Sequence, residues 1–308
     1  MKLFIGIEGV GMSISVGVMA DEAGKILAAV RLPFGISLHT TPRADLRCRL
    51  LELIKGLVTT CNLSVEDLHE STICIGLTGV TFPFDALVDL PREFEKLEIK
   101  TQRLICTGDA EIAFASHTGT DCGTAIICHM GSTAYATGKH GRFRYGGWGP
   151  AIGDEGSGYA MGRETLREIG RQYENREDPS RLWDEVQRWL ANLEGARIPP
   201  IIALKSGMFR WNEKVLEFAA SGLAERELRT AVFSFAHGLA RDEGIWTLRC
   251  VVGSLTTPLM LAFAGGDNNA KGIVSRAADD LVEQHERACS LGQVKPDCGP
   301  LVFYGGVM

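Results

Sequence analysis

The sequence predicts an α/β protein of two domains, and three observations lead to this prediction. In the first third of the chain, short strand-like runs alternate with amphipathic helical segments. A strand, a glycine-containing turn and a second strand occur at the N-terminus and recur about 120 residues later, which suggests a duplicated domain. The length of 308 residues also favours two domains. We expect a first domain over residues 1–118 and a second over 119–308, with helical insertions and a shortened C-terminus.

The first domain begins with three strand-like runs and continues with alternating helices and strands. Glycines separate the first two runs, and residues 21–24 form the turn of a hairpin between the second and the third. Leucines and an isoleucine then recur at helical spacing on one face of a longer segment. The predicted elements are strands at 3–8, 13–19 and 25–32, a helix at 45–59, strands at 73–77 and 104–107, and a helix at 110–116.

The second domain opens with two strands around a glycine turn and then becomes largely helical. Pro199-Pro200 and Thr257-Pro258 separate helical segments, because proline interrupts a helix. A short apolar run close to the C-terminus has the pattern of a buried strand. The predicted elements are strands at 124–129 and 133–137, helices at 156–173, 181–193, 213–223, 225–240 and 271–288, and a strand at 301–304.

Composition narrows the classes of ligand and the compartment. The chain carries 32 basic and 38 acidic side chains, a net charge of -6, with no basic run, so we expect neither nucleic acid nor a membrane surface as partner. Small molecules are then the expected ligands. The nine cysteines form no C-x-x-C pair, and several, such as Cys74 and Cys128, lie in apolar runs. We expect reduced core cysteines in a cytoplasmic protein.

A glycine-rich segment over residues 146–158 has the composition of a ligand-binding loop. Glycine at this density indicates backbone that approaches a ligand or adopts positive φ. Trp148 would supply an aromatic wall and Asp154 a carboxylate for a polar ligand. The alternative is purely structural, because Asp154, Glu155 and Ser157 are also residues that cap a helix N-terminus.

Asp109 lies between a predicted strand and a predicted helix, where an aspartate can serve either as a helix cap or as a functional group. Ligands of α/β proteins bind at the carboxyl ends of strands, and a carboxylate there is a suitable general base for a hydroxyl nucleophile. Gly9 and Gly11 follow the first strand, but Ile14 replaces the third glycine of a dinucleotide-binding fingerprint and a strand follows. The purely structural interpretation of these two glycines is a tight hairpin.

Taken together, these motifs resemble the N-acetylglucosamine kinase branch of the BadF/BadG/BcrA/BcrD ATPase family, within the sugar kinase, Hsp70 and actin superfamily. The resemblance covers nearly the whole chain. Its most specific part is the glycine-rich segment, Gly-Gly-Trp-Gly-x-x-x-Gly-Asp-Glu-Gly-Ser-Gly over residues 146–158. The supporting matches are Ile5-Gly-Ile-Glu-Gly9, Ile75-Gly-Leu-Thr-Gly79, Thr107-Gly-Asp-Ala110, Gly131-Ser132 and Tyr304-Gly-Gly-Val307.

The resemblance implies an actin-like ATPase fold, in which two ribonuclease-H-like domains close over an active-site cleft. It implies an ATP-dependent kinase in which Asp109 deprotonates the 6-hydroxyl of an amino sugar and Glu8 acts near Mg²⁺. The implied sugar contacts are His39, Asp109, Gly131, Trp148 and Asp154. The implied ATP contacts are Gly9, Gly11, Met12, Met130, Gly131, Ser132, Gly305 and Gly306.

Both phosphate loops depart from the family pattern. Met12 replaces the threonine of the first loop, and His129-Met130 replace the Gly-Thr of the second. His39 stands where related kinases place a sugar-binding asparagine. A catalytically weakened sugar-binding or regulatory protein is therefore an alternative. A third possibility, the iron–sulfur activator of a radical dehydratase or benzoyl-CoA reductase, fits the cysteine spacing poorly. The sequence leaves open whether the chain is a homodimer.

Overall fold

Two compact units make up the chain in a computed structural model, which describes residues 2–10, 14–37, 41–78, 80, 86–175, 180–191, 249, 252–295 and 298–306. Unit 1 comprises residues 1–121 and 142–144, and unit 2 comprises residues 122–141 and 145–308. The domain boundary between residues 118 and 119 stays a prediction. The helices predicted at 213–223 and 225–240 and the Pro199-Pro200 break lie outside the described residues.

Unit 1 is built on a mixed five-stranded sheet. Its elements are β1 (Leu3–Val10), β2 (Ile14–Asp21), β3 (Ile26–Leu32), α1 (Arg43–Thr60), a 3-10 helix (Val65–Glu70), β4 (Thr72–Leu77), α2 (Ala86–Glu95), β5 (Arg103–Gly108) and α3 (Asp109–Thr118). The strand order is β3-β2-β1-β4-β5. Antiparallel pairing joins β1, β2 and β3, whereas β1, β4 and β5 run parallel.

The core of unit 1 lies between one face of this sheet and α1. Isoleucines alternate along β1 and β4, so that Ile5 and Ile73 point to the core. The leucines of α1 recur at helical spacing, and Leu46, Leu50 and Leu57 are fully buried against that face. This burial fixes the register of the parallel strands, since a shift of one residue would expose the core face.

Unit 2 repeats the strand order of unit 1 and adds helices. Its elements are β6 (Gly123–Cys128), β7 (Ser132–Gly138), β8 (Gly141–Gly146, of which residues 142–144 are grouped with unit 1), α4 (Gly158–Asn175), α5 (Arg181–Ala191), α6 (Thr256–Ala264), α7 (Asn268–Gly292) and β9 (Leu301–Tyr304). The order β8-β7-β6-β9 matches β3-β2-β1-β4. As in unit 1, the first strand pairs antiparallel with the second and parallel with the fourth.

Several sequence predictions of local structure are wrong in detail. Thr257-Pro258 does not interrupt a helix but lies in the first turn of α6, where proline displaces no helical hydrogen bond. The strand at 301–304 is buried on one side only, because Val302 is buried while Leu301 and Phe303 are 39% and 57% exposed. The elements α2, β8, α6 and the 3-10 helix were not predicted.

The cysteine prediction holds only in part. Cys128 and Cys289 are buried, and burial raises the pKa of the Cys128 thiol to about 12. Cys48 and Cys298 are exposed, so the prediction of core cysteines is wrong for these two. Among the described helices, none combines the length and the apolar character that a bilayer-spanning segment requires.

Candidate functional site

In unit 1, three parallel strands bring predicted site residues together at the carboxyl ends of the strands. Gly9 of β1 pairs with Leu77 of β4, and Leu77 pairs with Gly108 of β5. The strands therefore end at the same level, and the residues at or just beyond their ends are neighbours. These residues include Glu8 and Asp109, which the sequence analysis assigned to Mg²⁺ and to proton abstraction.

Asp109 is the first residue of α3, and Gly108 occupies the N-cap position. The carboxylate accepts a hydrogen bond from the Ala110 N–H at Oδ1 (2.9 Å) and one from the Thr78 hydroxyl at Oδ2 (3.1 Å). Asp109 is half-buried, so both oxygens are held in orientation while the carboxylate stays accessible. This arrangement suits a general base that accepts a proton from a bound hydroxyl group.

Thr78 is a functional candidate that the sequence analysis did not select. Its hydroxyl lies 3.2 Å from the Gly9 carbonyl oxygen and 3.1 Å from Asp109 Oδ2. A hydroxyl has one proton, so it donates to one of these two acceptors at a time. Thr78 thus connects the ends of β1 and β5 through the end of β4. The signal was a threonine directly after a strand, inside a motif that was already noted.

Gly9 is required by packing in unit 1. A Cβ at this position would lie 2.2 Å from the carbonyl oxygen of Ile36 and 2.8 Å from a methyl group of Leu77. The glycine therefore lets the segment before residue 38 approach the end of β1. Gly11, Met12 and His39 lie outside the described residues, so their predicted roles stay predictions.

In unit 2, two parallel strands end beside each other and place two glycine turns together. β6 leads into the turn His129–Ser132, and β9 leads into Gly305-Gly306. The Gly306 N–H donates to Nδ1 of His129 (3.1 Å), and a Cβ at Gly305 would lie 1.9 Å from the Cys128 carbonyl oxygen. Close backbone contact thus explains both the glycine at 305 and the proximity of these turns.

The turn His129–Ser132 is also attached to the start of α4. The Gly158 N–H donates to the His129 carbonyl oxygen (2.8 Å), and the Tyr159 N–H donates to the Met130 carbonyl oxygen (3.3 Å). Ser157 caps this helix, because its hydroxyl accepts from the Ala160 N–H at 3.2 Å. The capping interpretation of the glycine-rich segment is therefore correct for Ser157.

Asp154 forms a buried ion pair with Arg249, a residue that the sequence analysis missed. Arg249 Nη2 lies 2.9 Å from Asp154 Oδ2, and the two side chains are 15% and 1% exposed. Burial raises the pKa of the Asp154 carboxyl above its ordinary value, although Arg249 and the N–H groups of Ser132 and Gly149 favour the charged form. Asp154 also has a positive φ of 63°, which is costly for a residue other than glycine.

Arg249 additionally holds the turn His129–Ser132. Its Nε donates to the Met130 carbonyl oxygen at 3.2 Å. Its guanidinium covers Gly131 so closely that a Cβ there would lie 1.6 Å from Nη2 and 2.8 Å from Asp154 Oδ1. One arginine thus joins the turn to the glycine-rich segment. No local sequence pattern could have identified it, since its partners lie about 95 and 119 residues earlier.

The Ser132 hydroxyl is occupied within the protein. It donates to the Glu155 carbonyl oxygen (2.5 Å) and accepts from Nε2 of Gln284 (3.1 Å). Gln284 is a buried polar residue of α7 and also donates to the Glu155 carbonyl oxygen at 2.7 Å. The hydroxyl therefore stabilises the connection between the turn and the glycine-rich segment in this conformation.

Trp148 stands on the surface of unit 2. Gly146, Gly147 and Gly149 around it have positive φ values of 78°, 73° and 86°. These left-handed conformations favour glycine and fold the segment tightly. The Trp148 side chain is 68% exposed, so its ring is available for contact with a ligand.

Glu8 fits the one-carboxylate binding mode of Mg²⁺. It is half-buried at the end of β1, next to the glycine that contacts Thr78. Within the described ranges, no three or more His, Cys, Asp or Glu side chains lie together as a metal-binding group. Mg²⁺ commonly uses only one or two carboxylates and completes its shell with waters and substrate phosphates.

Comparison with known proteins gives two relatives with 30% identity. One is the N-acetylmuramic acid/N-acetylglucosamine kinase of Clostridium acetobutylicum, matched over 193 residues, 62% of this chain and 60% of the relative. The other is the N-acetyl-D-glucosamine kinase of Dictyostelium discoideum, matched over 184 residues, 54% of each chain. The matches thus span less than two thirds of either relative.

Solved structures share the fold over the whole chain. A protein of Chromobacterium violaceum, provisionally assigned as an N-acetylglucosamine kinase, superposes with a TM-score of 0.68 at 19% identity, covering 100% of this chain and 88% of that one. A protein of Porphyromonas gingivalis with the same provisional assignment gives 0.60 at 15% identity, covering 100% and 86%. These likenesses confirm the predicted actin-like ATPase fold of two ribonuclease-H-like domains.

A family model also matches nearly the whole chain. The model that describes the BadF/BadG/BcrA/BcrD ATPase family aligns with residues 10–308, which include the glycine turns of unit 2, Asp109 and the glycine-rich segment. The resemblance stated from the motifs is confirmed by this match. The chain therefore belongs to the BadF/BadG/BcrA/BcrD ATPase family.

Proposed function

We propose that this protein is an ATP-dependent kinase that phosphorylates the 6-hydroxyl of an amino sugar of the N-acetylglucosamine or glucosamine type. The observation that carries the proposal is the oriented carboxylate of Asp109 at the carboxyl end of β5, in a member of this ATPase family. The names of the two curated relatives support a sugar as substrate.

Asp109 acts as the general base in this proposal. The sugar hydroxyl donates its proton to a carboxylate oxygen while the hydroxyl oxygen attacks the terminal phosphorus of ATP. The bond from that phosphorus to its bridging oxygen breaks, and ADP leaves. Thr78 and the Ala110 N–H keep the carboxylate turned toward the sugar. Phosphoryl transfer depends mainly on such positioning and on charge stabilisation.

The glycine turns of unit 2 bind phosphate in this proposal. Met130, Gly131 and Ser132 form one turn, Gly305 and Gly306 form the other, and a hydrogen bond from the Gly306 N–H to the ring of His129 joins them. Glycine turns beside strand ends expose backbone N–H groups that bind anions. In unit 1, Glu8 would hold Mg²⁺, which would offset the negative charge of the phosphates when bound, and Gly9 would allow the nucleotide to approach.

The sugar is held by the glycine-rich segment. The exposed ring of Trp148 offers an apolar surface to one face of the sugar. Asp154, fixed by Arg249, contributes through its carboxylate and through the position that it gives to Gly131. His39 and Asp109 complete the proposed sugar contacts.

The proposal is tested by measuring phosphoryl transfer. Purified protein is incubated with Mg²⁺, ATP and either N-acetylglucosamine, glucosamine or N-acetylmuramic acid, and the products are identified by mass spectrometry and phosphorus NMR. We expect a 6-phosphate product and a loss of about 10² to 10⁴ in kcat for Asp109→Asn. Asp45→Asn, the same change at an exposed position early in α1, should leave kcat unchanged. No product above the Asp109→Asn level with any of the sugars would refute the proposal.

A second candidate is a sugar-binding or regulatory protein with weakened catalysis. The internal hydrogen bonds of the Ser132 hydroxyl favour this candidate, because they engage the hydroxyl within the protein and not with a phosphate group. Calorimetric titration with Mg²⁺ and ATP, with and without N-acetylglucosamine, distinguishes the two. Sugar binding without ATP binding supports the second candidate, whereas ATP binding that strengthens with sugar supports the kinase.

A further inference from the structure

Two cysteines of unit 2 lie against each other at the ends of two adjacent strands. Cys122 directly precedes β6, and Cys298 lies three residues before Leu301, the first residue of β9. The strands β6 and β9 are parallel neighbours, with Thr124 paired to Leu301. Both cysteines therefore lie at the same end of adjacent strands, and their sulfur atoms are 2.6 Å apart.

The backbone holds the two cysteines together. The Thr124 N–H donates to the Pro300 carbonyl oxygen at 3.0 Å. A Cβ at Gly299 would lie 2.1 Å from the Cys122 carbonyl oxygen, so the two chain segments touch through their backbones. The Cys298 N–H donates to the Lys295 carbonyl oxygen at 2.9 Å. The proximity of the sulfur atoms is thus built into the strand pairing.

The pair is also accessible to a soluble oxidant. Cys298 is exposed and Cys122 is half-buried. By contrast, Cys128 and Cys289 are buried, and burial raises the pKa of both thiols, which suppresses the reactive thiolate. Cys48 is exposed as well, but it belongs to α1 of unit 1.

We propose that Cys122 and Cys298 form a reversible disulfide on oxidation by a peroxide. One thiolate attacks a peroxide oxygen and becomes a sulfenic acid while the O–O bond breaks. The second thiol displaces the sulfenic oxygen, which leaves as water. In sum, two thiols and one hydrogen peroxide yield one disulfide and two waters, and two electrons pass from sulfur to oxygen.

The disulfide would fasten β9 to β6 at the end opposite the glycine turns. It would close a long segment of chain, and cross-links of long loops stabilise the folded state most in the loop-entropy model. The proposed site does not depend on the kinase proposal, since neither cysteine belongs to the residues assigned to ATP or sugar. Its predicted effect is a higher Tm after oxidation, reversed by dithiothreitol.

The site is tested on the full chain treated with hydrogen peroxide and then alkylated. Cleavage before aspartate isolates Cys298 in fragment 297–308, and fragment 121–153 carries Cys122 together with Cys128. We expect these fragments to be linked, with fragment ions locating the bond at Cys122, and the link to disappear after reduction.

Variants separate this disulfide from other oxidation products. Cys122→Ser and Cys298→Ser should abolish the link and the rise in Tm, and Cys48→Ser should retain both. The proposal is overturned if oxidation instead yields a bond between two molecules, a sulfinic acid at Cys298, or a link between other cysteines while Cys122 and Cys298 are still alkylated. An intramolecular link without any change in Tm would overturn the stabilising effect.

Discussion

At the scale of single residues, the orientation of the Asp109 carboxylate depends on one threonine. Thr78 donates to Asp109 Oδ2 or to the Gly9 carbonyl oxygen, and Ala110 supplies only a backbone N–H to Oδ1. Loss of the hydroxyl would free one carboxylate oxygen to rotate away from the substrate. Thr78 is therefore a positioning residue, whose effect should appear in kcat more than in KM.

We predict that Thr78→Val lowers kcat for sugar phosphorylation about tenfold to a hundredfold, with KM for ATP unchanged. A hydrogen bond to a charged group contributes about 1.5 to 3 kcal/mol, and about 1.4 kcal/mol corresponds to a factor of ten. Thr78→Ser keeps the hydroxyl and should restore most of the rate. Thr60→Val removes an exposed hydroxyl that bonds to the Gly56 carbonyl oxygen and serves as the control. A change in KM alone would contradict the positioning role.

At the scale of elements, distant segments converge on the turn between β6 and β7. The turn contacts the start of α4, the end of β9, Gln284 of α7 and Arg249. The Arg249–Asp154 pair is buried, and removal of one partner from a buried pair leaves an uncompensated charge. Stability should therefore respond to this contact more strongly than to any surface ion pair.

We predict that Arg249→Met lowers the free energy of unfolding by about 3 kcal/mol at neutral pH. Burial raises the pKa of Asp154, and Arg249 opposes this shift by favouring the charged form. Without Arg249 the pKa of the buried carboxyl rises further, so the variant loses more stability as the pH rises through that raised pKa. Urea unfolding at pH 5 and pH 8 should show a larger loss at pH 8. Combining Arg249→Met with Asp154→Asn should remove this pH dependence.

The control for this prediction is Arg287→Met. Arg287 pairs with Glu283 at 3.4 Å, and both side chains are about 60% exposed. Exposed pairs contribute about 0 to 1 kcal/mol, so this variant should stay close to the wild type. An equal loss in the two variants, or a loss for Arg249→Met that shrinks toward pH 8, would argue against a buried charge.

The sequence identified the parts of this site that depend on local patterns. Asp109 and the glycine turns were found because a strand followed by glycine or aspartate is a local signal. Arg249 and Gln284 were not found, because their partners are far away in sequence and long-range contacts leave no periodic trace. Pro91 inside α2 concealed that helix, since proline normally predicts a helix boundary.

At the scale of the whole molecule, the repeated strand pattern was the most informative sequence feature. It predicted two similar sheets, and the orders β3-β2-β1-β4 and β8-β7-β6-β9 are equivalent. The pairing of β6 with β9 could not be predicted, because Thr124 and Leu301 are separated by most of unit 2. Each unit also buries a separate apolar cluster, one around α1 and one among α4 to α7.

The two apolar clusters predict unfolding in two calorimetric transitions. Leu50 and Leu259 are fully buried in the clusters of unit 1 and unit 2, respectively. Leu50→Ala and Leu259→Ala should each cost about 2 to 5 kcal/mol and lower a different transition, because each leaves a cavity in only one cluster.

Exposed positions provide the controls for this experiment. Ile26→Ala in unit 1 and Leu261→Ala in unit 2 remove side chains that are 66% and 54% exposed, so both transitions should remain in place. A single transition that moves equally with Leu50→Ala and Leu259→Ala would mean that the chain unfolds as one cooperative body. Two transitions that respond separately would assign each cluster to an independently cooperative unit.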